Sequence, residues 1–114
     1  MTAFKVGDIV SVEFPFSDLQ THKRRPGLVL FSGDVDLMVA RVTTHPPRGP
    51  ADVALLHWTE IGLPRASTIR LTKLATIDQR LVHHHIGHLH AEDSRAVADA
   101  WHQMAASIGA VLLA

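Results

Sequence analysis

Apolar and polar residues alternate or gather in short stretches along most of the chain, and only the C-terminal end changes period. After the Gly7-Asp8 turn signal, Val10, Val12 and Phe14 alternate with Ser11 and Glu13. This predicts a strand over 9–14, stopped by Pro15. Residues 17–25 read as a polar loop, and Pro26 biases Arg25 away from helix. The continuous run Leu28-Val29-Leu30-Phe31 predicts a buried strand, Gly33-Asp34 a turn, and the Val-rich 37–43 a third strand. Three prolines and a glycine make 44–50 an open loop. Short strands follow over 52–56, 67–74 and 86–89, with a Gly62-Leu63-Pro64 turn and a single helical turn at 77–82 between them. The period then changes. Val97, Trp101, Met104, Ala105, Ile108 and Leu112 recur at spacings of three and four, the signature of an amphipathic helix. Glu92 and Asp93 sit in its first turn, where the helix dipole favours acids. Five or six short strands closed by one terminal helix predict a mainly β fold: a small, strongly bent sheet or barrel on which the helix lays its Trp101 stripe.

At 114 residues the chain reads as one domain spanning 1–114, long enough to bury a real core. It has no cysteine, which excludes disulfides, zinc-thiolate sites and a thiol nucleophile and fits a cytoplasmic setting. Asp8 comes too early for the N-terminus to read as a signal peptide, and no apolar run reaches membrane-spanning length. The formal charge is zero, but it is unevenly spread. Between His22 and Lys73 lie eight basic residues (Lys23, Arg24, Arg25, Arg41, Arg48, Arg65, Arg70, Lys73) and four acids (Asp34, Asp36, Asp52, Glu60), whereas acids prevail elsewhere. A molecule polarised in this way can steer an anion to one face.

Several segments, in order along nearly the whole chain, carry a resemblance. They are Gly7-Asp8-Ile9-Val10 with Phe14-Pro15-Phe16-Ser17-Asp18; Lys23-Arg24-Arg25-Pro26-Gly27-Leu28-Val29-Leu30; Val42-Thr43-Thr44; Gly62-Leu63-Pro64 through Ser67 to Arg70; and Ile86-Gly87-His88-Leu89. Each piece is a common short motif; together, at this spacing, the chain resembles the MazF/PemK family of type II toxins. The resemblance implies an SH3-like barrel with a C-terminal α-helix, a homodimer, and metal-independent, sequence-selective cleavage of single-stranded RNA with no cofactor. It also implies neutralisation by an antitoxin. The family's catalytic arginine and threonine map onto Arg25 and Thr43, and its serine onto Ser67.

The chemistry of those residue types agrees. RNA is cut when its 2′-hydroxyl attacks the adjacent phosphate and expels the 5′-oxygen, leaving a 2′,3′-cyclic phosphate. Arg25 suits the developing charge, because a guanidinium stays ionised and grips two phosphate oxygens at once. Thr43 can donate a hydroxyl hydrogen bond to the same oxygens. Arginine is a poor base, so His22 or His45, each close in sequence to one of the pair, is a candidate proton carrier; both can equally be plain loop histidines. Ser17, Asp18, His22, Lys23, Arg24, His45, Ser67 and Arg70 are the candidate RNA-binding residues. Ser67 is as readily a turn-closing hydroxyl, and solvated charge is the alternative for the basic residues.

Nine histidines call for a metal check. Strand alternation puts His84 and His88 on one face and His83 and His85 on the other, two ligands per face, short of a good site, so no metal is expected. In place of the basic residues common there in the family, these histidines would make a surface that gains charge below about pH 6.5. Trp101 reads as core; Trp58 reads as core, base-stacking or interface. An acidic antitoxin tail is expected at Lys23-Arg24-Arg25, in competition with RNA. The rival class is a non-catalytic toxin or binding module of the same fold, a gyrase poison or an antitoxin-binding homologue. Fragments of a long RNA incubated in EDTA would favour the nuclease, and intact RNA the rival.

Overall fold

The computed structural model describes residues 4–13 and 24–114. Six antiparallel strands, β1 (Asp8–Glu13), β2 (Arg24–Ser32), β3 (Asp36–Thr43), β4 (Asp52–Ala54), β5 (Thr68–Asp78) and β6 (His84–His88), form one sheet in the order β4-β5-β3-β2-β1-β6. A one-turn helix α1 (Trp58–Ile61) lies between β4 and β5, and the long helix α2 (Ala91–Leu113) ends the chain. The sheet bends as a barrel does but leaves β4 and β6 as edges. Phe14, Pro15 and the expected 17–23 part of the polar loop lie outside the described residues.

The two periodicities sort the core. One sheet face packs Ile9, Leu28, Ala40, Val42, Val53 and Ile69 with Val97 and Ala100 of α2, and Trp101, Met104 and Trp58 close the edges. Trp58 is therefore core packing, on a helix turn that the alternation pattern did not reveal. The other face holds a second core of Val10, Val12, Val29, Leu37, Val39, Ala75 and Ile77 under Phe4 and Val82. Full burial of such side chains contributes roughly 1.5–3 kcal/mol each. The expected stripe of α2 holds only for its first half. Beyond Met104 the helix runs past the sheet, leaving Ile108 half exposed and Val111, Leu112 and Leu113 more so.

Three register shifts interrupt the sheet, one of them between Val29 and Phe31 of β2. Between Ala40 and Arg41 the partner on β5 jumps from Leu74 to Arg70, which lengthens β5 well past the strand expected over 67–74. The helical turn expected at 77–82 shrinks to a 3₁₀ turn over Gln79–Leu81, because β5 remains paired to β3 up to Asp78. In β6 the step lies between Gly87, opposite Ile9, and His85, opposite Val10. Gly87 is required there, since any Cβ would strike the Ile61 carbonyl oxygen. Gly62, at φ +109°, closes α1 in the left-handed conformation and gives its N–H to the Trp58 and Thr59 carbonyls.

Asp93 is more than a dipole residue. Its carboxylate is buried and accepts the backbone N–H of Leu56 at 2.8 Å and of His57 at 3.0 Å, tying the start of α2 to the segment after β4. His90 caps α2, its Nδ1 accepting the Glu92 N–H at 3.3 Å. Asp93→Ala removes two charge-assisted bonds and leaves both donors without their partner, so it is expected to cost about 3 kcal/mol in a urea titration. A loss under about 1 kcal/mol would show that the tie is dispensable.

Candidate active site

The candidate pair comes together through strand register. Gly27 on β2 faces Arg41 on β3, and Arg25 and Thr43 each lie two residues further out along those strands. β5 adds Thr68 opposite Thr43 and Arg70 opposite Arg41, and β4 adds Asp52 opposite Arg70. All of these share the sheet face of the second core. The face is thus apolar at Val10, Val12, Val29 and Val39 and turns basic at Arg41, the next same-face residue on β3, and at Arg25, beyond Gly27 on β2.

Here the sheet and the 63–67 segment enclose a cleft of about 450 Å³ lined by Arg25, Pro26, Arg41, Thr43, Thr44, His45, Leu63, Pro64, Arg65 and Ser67. Arg25 and Thr43, had they lain on opposite sides of the molecule, could not act together; they line one cleft. Thr43 is buried, and its Oγ1 accepts the His45 backbone N–H at 3.3 Å. A hydroxyl that accepts there has its own hydrogen left to donate toward the cleft.

The charge balance is unusual. The Nε atoms of Arg25, Arg41 and Arg70 are each buried without a hydrogen-bond partner. Burial, then the charges of Arg25 and Arg70, hold the Arg41 guanidinium below the ordinary arginine value. The nearby acid is Asp52, 3.4 Å from Arg70 Nε, and it also accepts the Arg48 backbone N–H at 2.9 Å. Among the described residues Asp52 pairs with Arg70 and Arg48 and no ion pair is recorded for Arg25 or Arg41, so the cluster carries an excess of positive charge.

The other expected residues divide. His45 and Ser67 line the cleft, but Ser67 Oγ donates to the Arg65 carbonyl at 2.8 Å, which is the turn-closing role. Arg70 is buried behind the cleft wall beside Arg41 rather than exposed along it. Arg24 is exposed at the start of β2. Ser17, Asp18, His22 and Lys23 lie outside the described residues. Arg41 was not singled out from the sequence. Its one signal there is a charged residue in an otherwise Val-rich strand two positions before Thr43.

The histidines cluster differently from simple alternation. The register step in β6 brings both His85 Nε2 (3.2 Å) and His88 Nδ1 (2.9 Å) to Asp8 Oδ1. His83 lies 3.6 Å from Glu13 and His90 3.8 Å from Glu60. These histidines thus face carboxylates. Among the described residues the donors best placed to hold a metal are His57, Glu60 and His90, whose ligand atoms lie within 4.8 Å of one another. The His57 and His90 rings stack at 3.6 Å.

This open-barrel β fold carries a basic cleft at its strand ends, and fold and sequence together place it in a known class of small proteins. The chain belongs to the PemK-like, MazF-like toxin family of type II toxin–antitoxin systems, whose model matches residues 5–105. None of the curated proteins matches it by sequence. Solved structures share its fold. MazF in a MazE–MazF crystal structure from Deinococcus radiodurans is 18% identical, covering 93% of this chain and 96% of that one, with a TM-score of 0.71. A mycobacterial endoribonuclease in complex with its cognate antitoxin is 14% identical over 86% and 90%, with a TM-score of 0.69. The Mycobacterium tuberculosis toxin MazF-mt6 is 23% identical over 82% and 90%, with a TM-score of 0.67. No helix among the described residues is long and apolar enough to cross a membrane.

Two pH dependences follow. Burial works to raise the Asp8 carboxyl, but the Lys5 N–H and the His88 and His85 rings outweigh it and hold the group below the ordinary aspartate value. The unfolded chain therefore takes up this proton first as pH falls. The contribution is complete above about pH 4 and is lost below it. Asp8→Asn is expected to flatten the acid limb of a plot of melting temperature against pH; an unchanged limb would remove Asp8 from the account. The hydrogen bond to Glu60 raises His57 against the cost of desolvation, with Glu60, Glu92 and Asp93 adding attraction. That contribution is present below the ordinary histidine value and lost as pH rises through the raised one. Glu60→Gln should therefore lower the melting temperature at pH 6 and leave it unchanged at pH 9.

Proposed function

We propose that this chain is an endoribonuclease toxin that cuts single-stranded RNA at preferred sequences without a metal, through attack of the RNA's own 2′-hydroxyl. The observation that carries this reading is the meeting of Arg25 and Thr43 in one cleft, where the buried Nε atoms of Arg25 and Arg41 have no hydrogen-bond partner among the described residues. The scissile phosphate supplies that partner. Arg25 grips its oxygens, and the Thr43 hydroxyl donates to them as charge develops. Both contacts strengthen in the transition state, which is where they accelerate the reaction. His45, whose backbone is tied to Thr43, is positioned at the cleft for proton transfer, and Arg24 attracts flanking phosphates.

Family membership and the antitoxin complexes among its structural neighbours support a cognate antitoxin as partner. An acidic segment occupying the basic cleft would inhibit by direct competition with RNA. A homodimer acting in the cytoplasm completes the proposal. Cleavage in EDTA, leaving a 2′,3′-cyclic phosphate end, is the expected result with wild-type protein. Arg25→Ala and Thr43→Ala are each expected to lower kcat on the order of 10²–10³-fold without lowering the melting temperature. Wild-type protein that leaves a long RNA intact, or cleaves it only with added metal, would overturn the reading.

A further inference from the structure

The Arg25–Thr43 pair accounts for one anion, yet the cleft holds more cation than one phosphate needs. Arg41 and Arg70 face each other on β3 and β5, two residues inward from the Thr43–Thr68 pair. Both Nε atoms are buried without a hydrogen bond among the described residues, and that of Arg70 alone has an ion-pair partner, Asp52 at 3.4 Å. Asp52 reaches Arg70 and is shared with Arg48, so Arg41 has no carboxylate of its own among the described residues. Pairing two like charges directly across strands is destabilising unless something is bound between or beside them. Two residues along a strand span about 6.5 Å. That is on the order of the step between successive phosphates of an extended single strand, the ligand for which charged grooves of this kind are built.

We propose that Arg41 and Arg70 form a second phosphate subsite, one ladder step from the Arg25–Thr43 pair, so that the cleft takes two successive phosphates of one strand. The RNA-cleaving reading enters only in naming the strand; the need for a second anion comes from the buried arginines themselves. Arg41, on the cleft wall, makes the contact. Arg70, held by Asp52 behind it, fixes Arg41 by repulsion and adds its field. Arg41 is thus a binding residue whose presence strains the free protein. Its removal relieves that strain and weakens the ligand.

The test uses a labelled, randomised single-stranded 2′-deoxy oligonucleotide, which lacks the attacking hydroxyl and so reports binding apart from cleavage. Arg41→Gln is expected to bind it about tenfold more weakly at low salt, with the log–log salt slope shallower by about 0.7. Its melting temperature without ligand should be equal to or above that of wild type. Arg41→Lys should keep the slope. With wild-type protein alone, a 2′-deoxy dinucleotide carrying two phosphates should bind at least tenfold more tightly than one carrying a single phosphate. Unchanged affinity and slope in Arg41→Gln, or equal binding of the two dinucleotides, would overturn the subsite. Should wild type fail to cut RNA while the Arg41-dependent slope persists, the subsite stands and the nuclease reading falls. Should it cut RNA with no Arg41-dependent slope, the reverse holds.

Discussion

The constraint that organises this molecule is like charge held close. Arg25, Arg41 and Arg70 are carried to one end of a sheet face by three neighbouring strands, and among the described residues only Arg70 of the three has a carboxylate recorded against it, that of Asp52. Left to itself such a cluster would drift apart into water. Here it cannot, because each arginine stem sits on a strand whose next inward residues belong to a packed core, Val29 on β2 and Val39 on β3 among them. The hydrophobic face supplies the rigidity that keeps the cations together, and the cations concentrate positive charge at the cleft. Stability and ligand binding are thus set against each other on a single surface, where apolar burial outweighs the repulsion.

The opposite face serves the same end. α2 covers the first core with Val97 and Ala100, and Asp93 in its first turn draws the segment after β4 back onto the fold. That segment leads through α1 to the 63–67 stretch that walls the cleft. The Gly62 cap and the close approach of Gly87 to Ile61 fix its path. The cleft geometry therefore depends on a buried carboxylate on a helix that contributes no residue to it. At the other edge of the sheet, Asp8 gathers His85 and His88 into a pair that ties β6 to β1.

Arg25 and Thr43 were singled out through the resemblance that the Arg-Pro step and the strand-ending threonine carry, and the fold brings both to one cleft. Arg41 was not singled out, for it reads only as an odd charge in an apolar strand; what gives it meaning is Arg70 across the ladder. The histidines misled in the same way. Alternation separates His85 from His88, and a single bulged residue reunites them on Asp8, eighty positions away along the chain. Trp58 left three readings open until α1, a helix turn too short to show a period, placed it against the core.

By itself the sequence determined the order of the six strands and the terminal helix, since alternation and three-to-four spacing are properties of neighbouring residues. It determined the absence of thiol chemistry and the basic bias of its middle. Only the tertiary structure decided which charges meet, which acid is buried, and where α2 outruns its sheet. Those depend on register, and register is set by bulges and by long-range packing. A shift of one residue in pairing reverses every side chain's face without altering the local pattern.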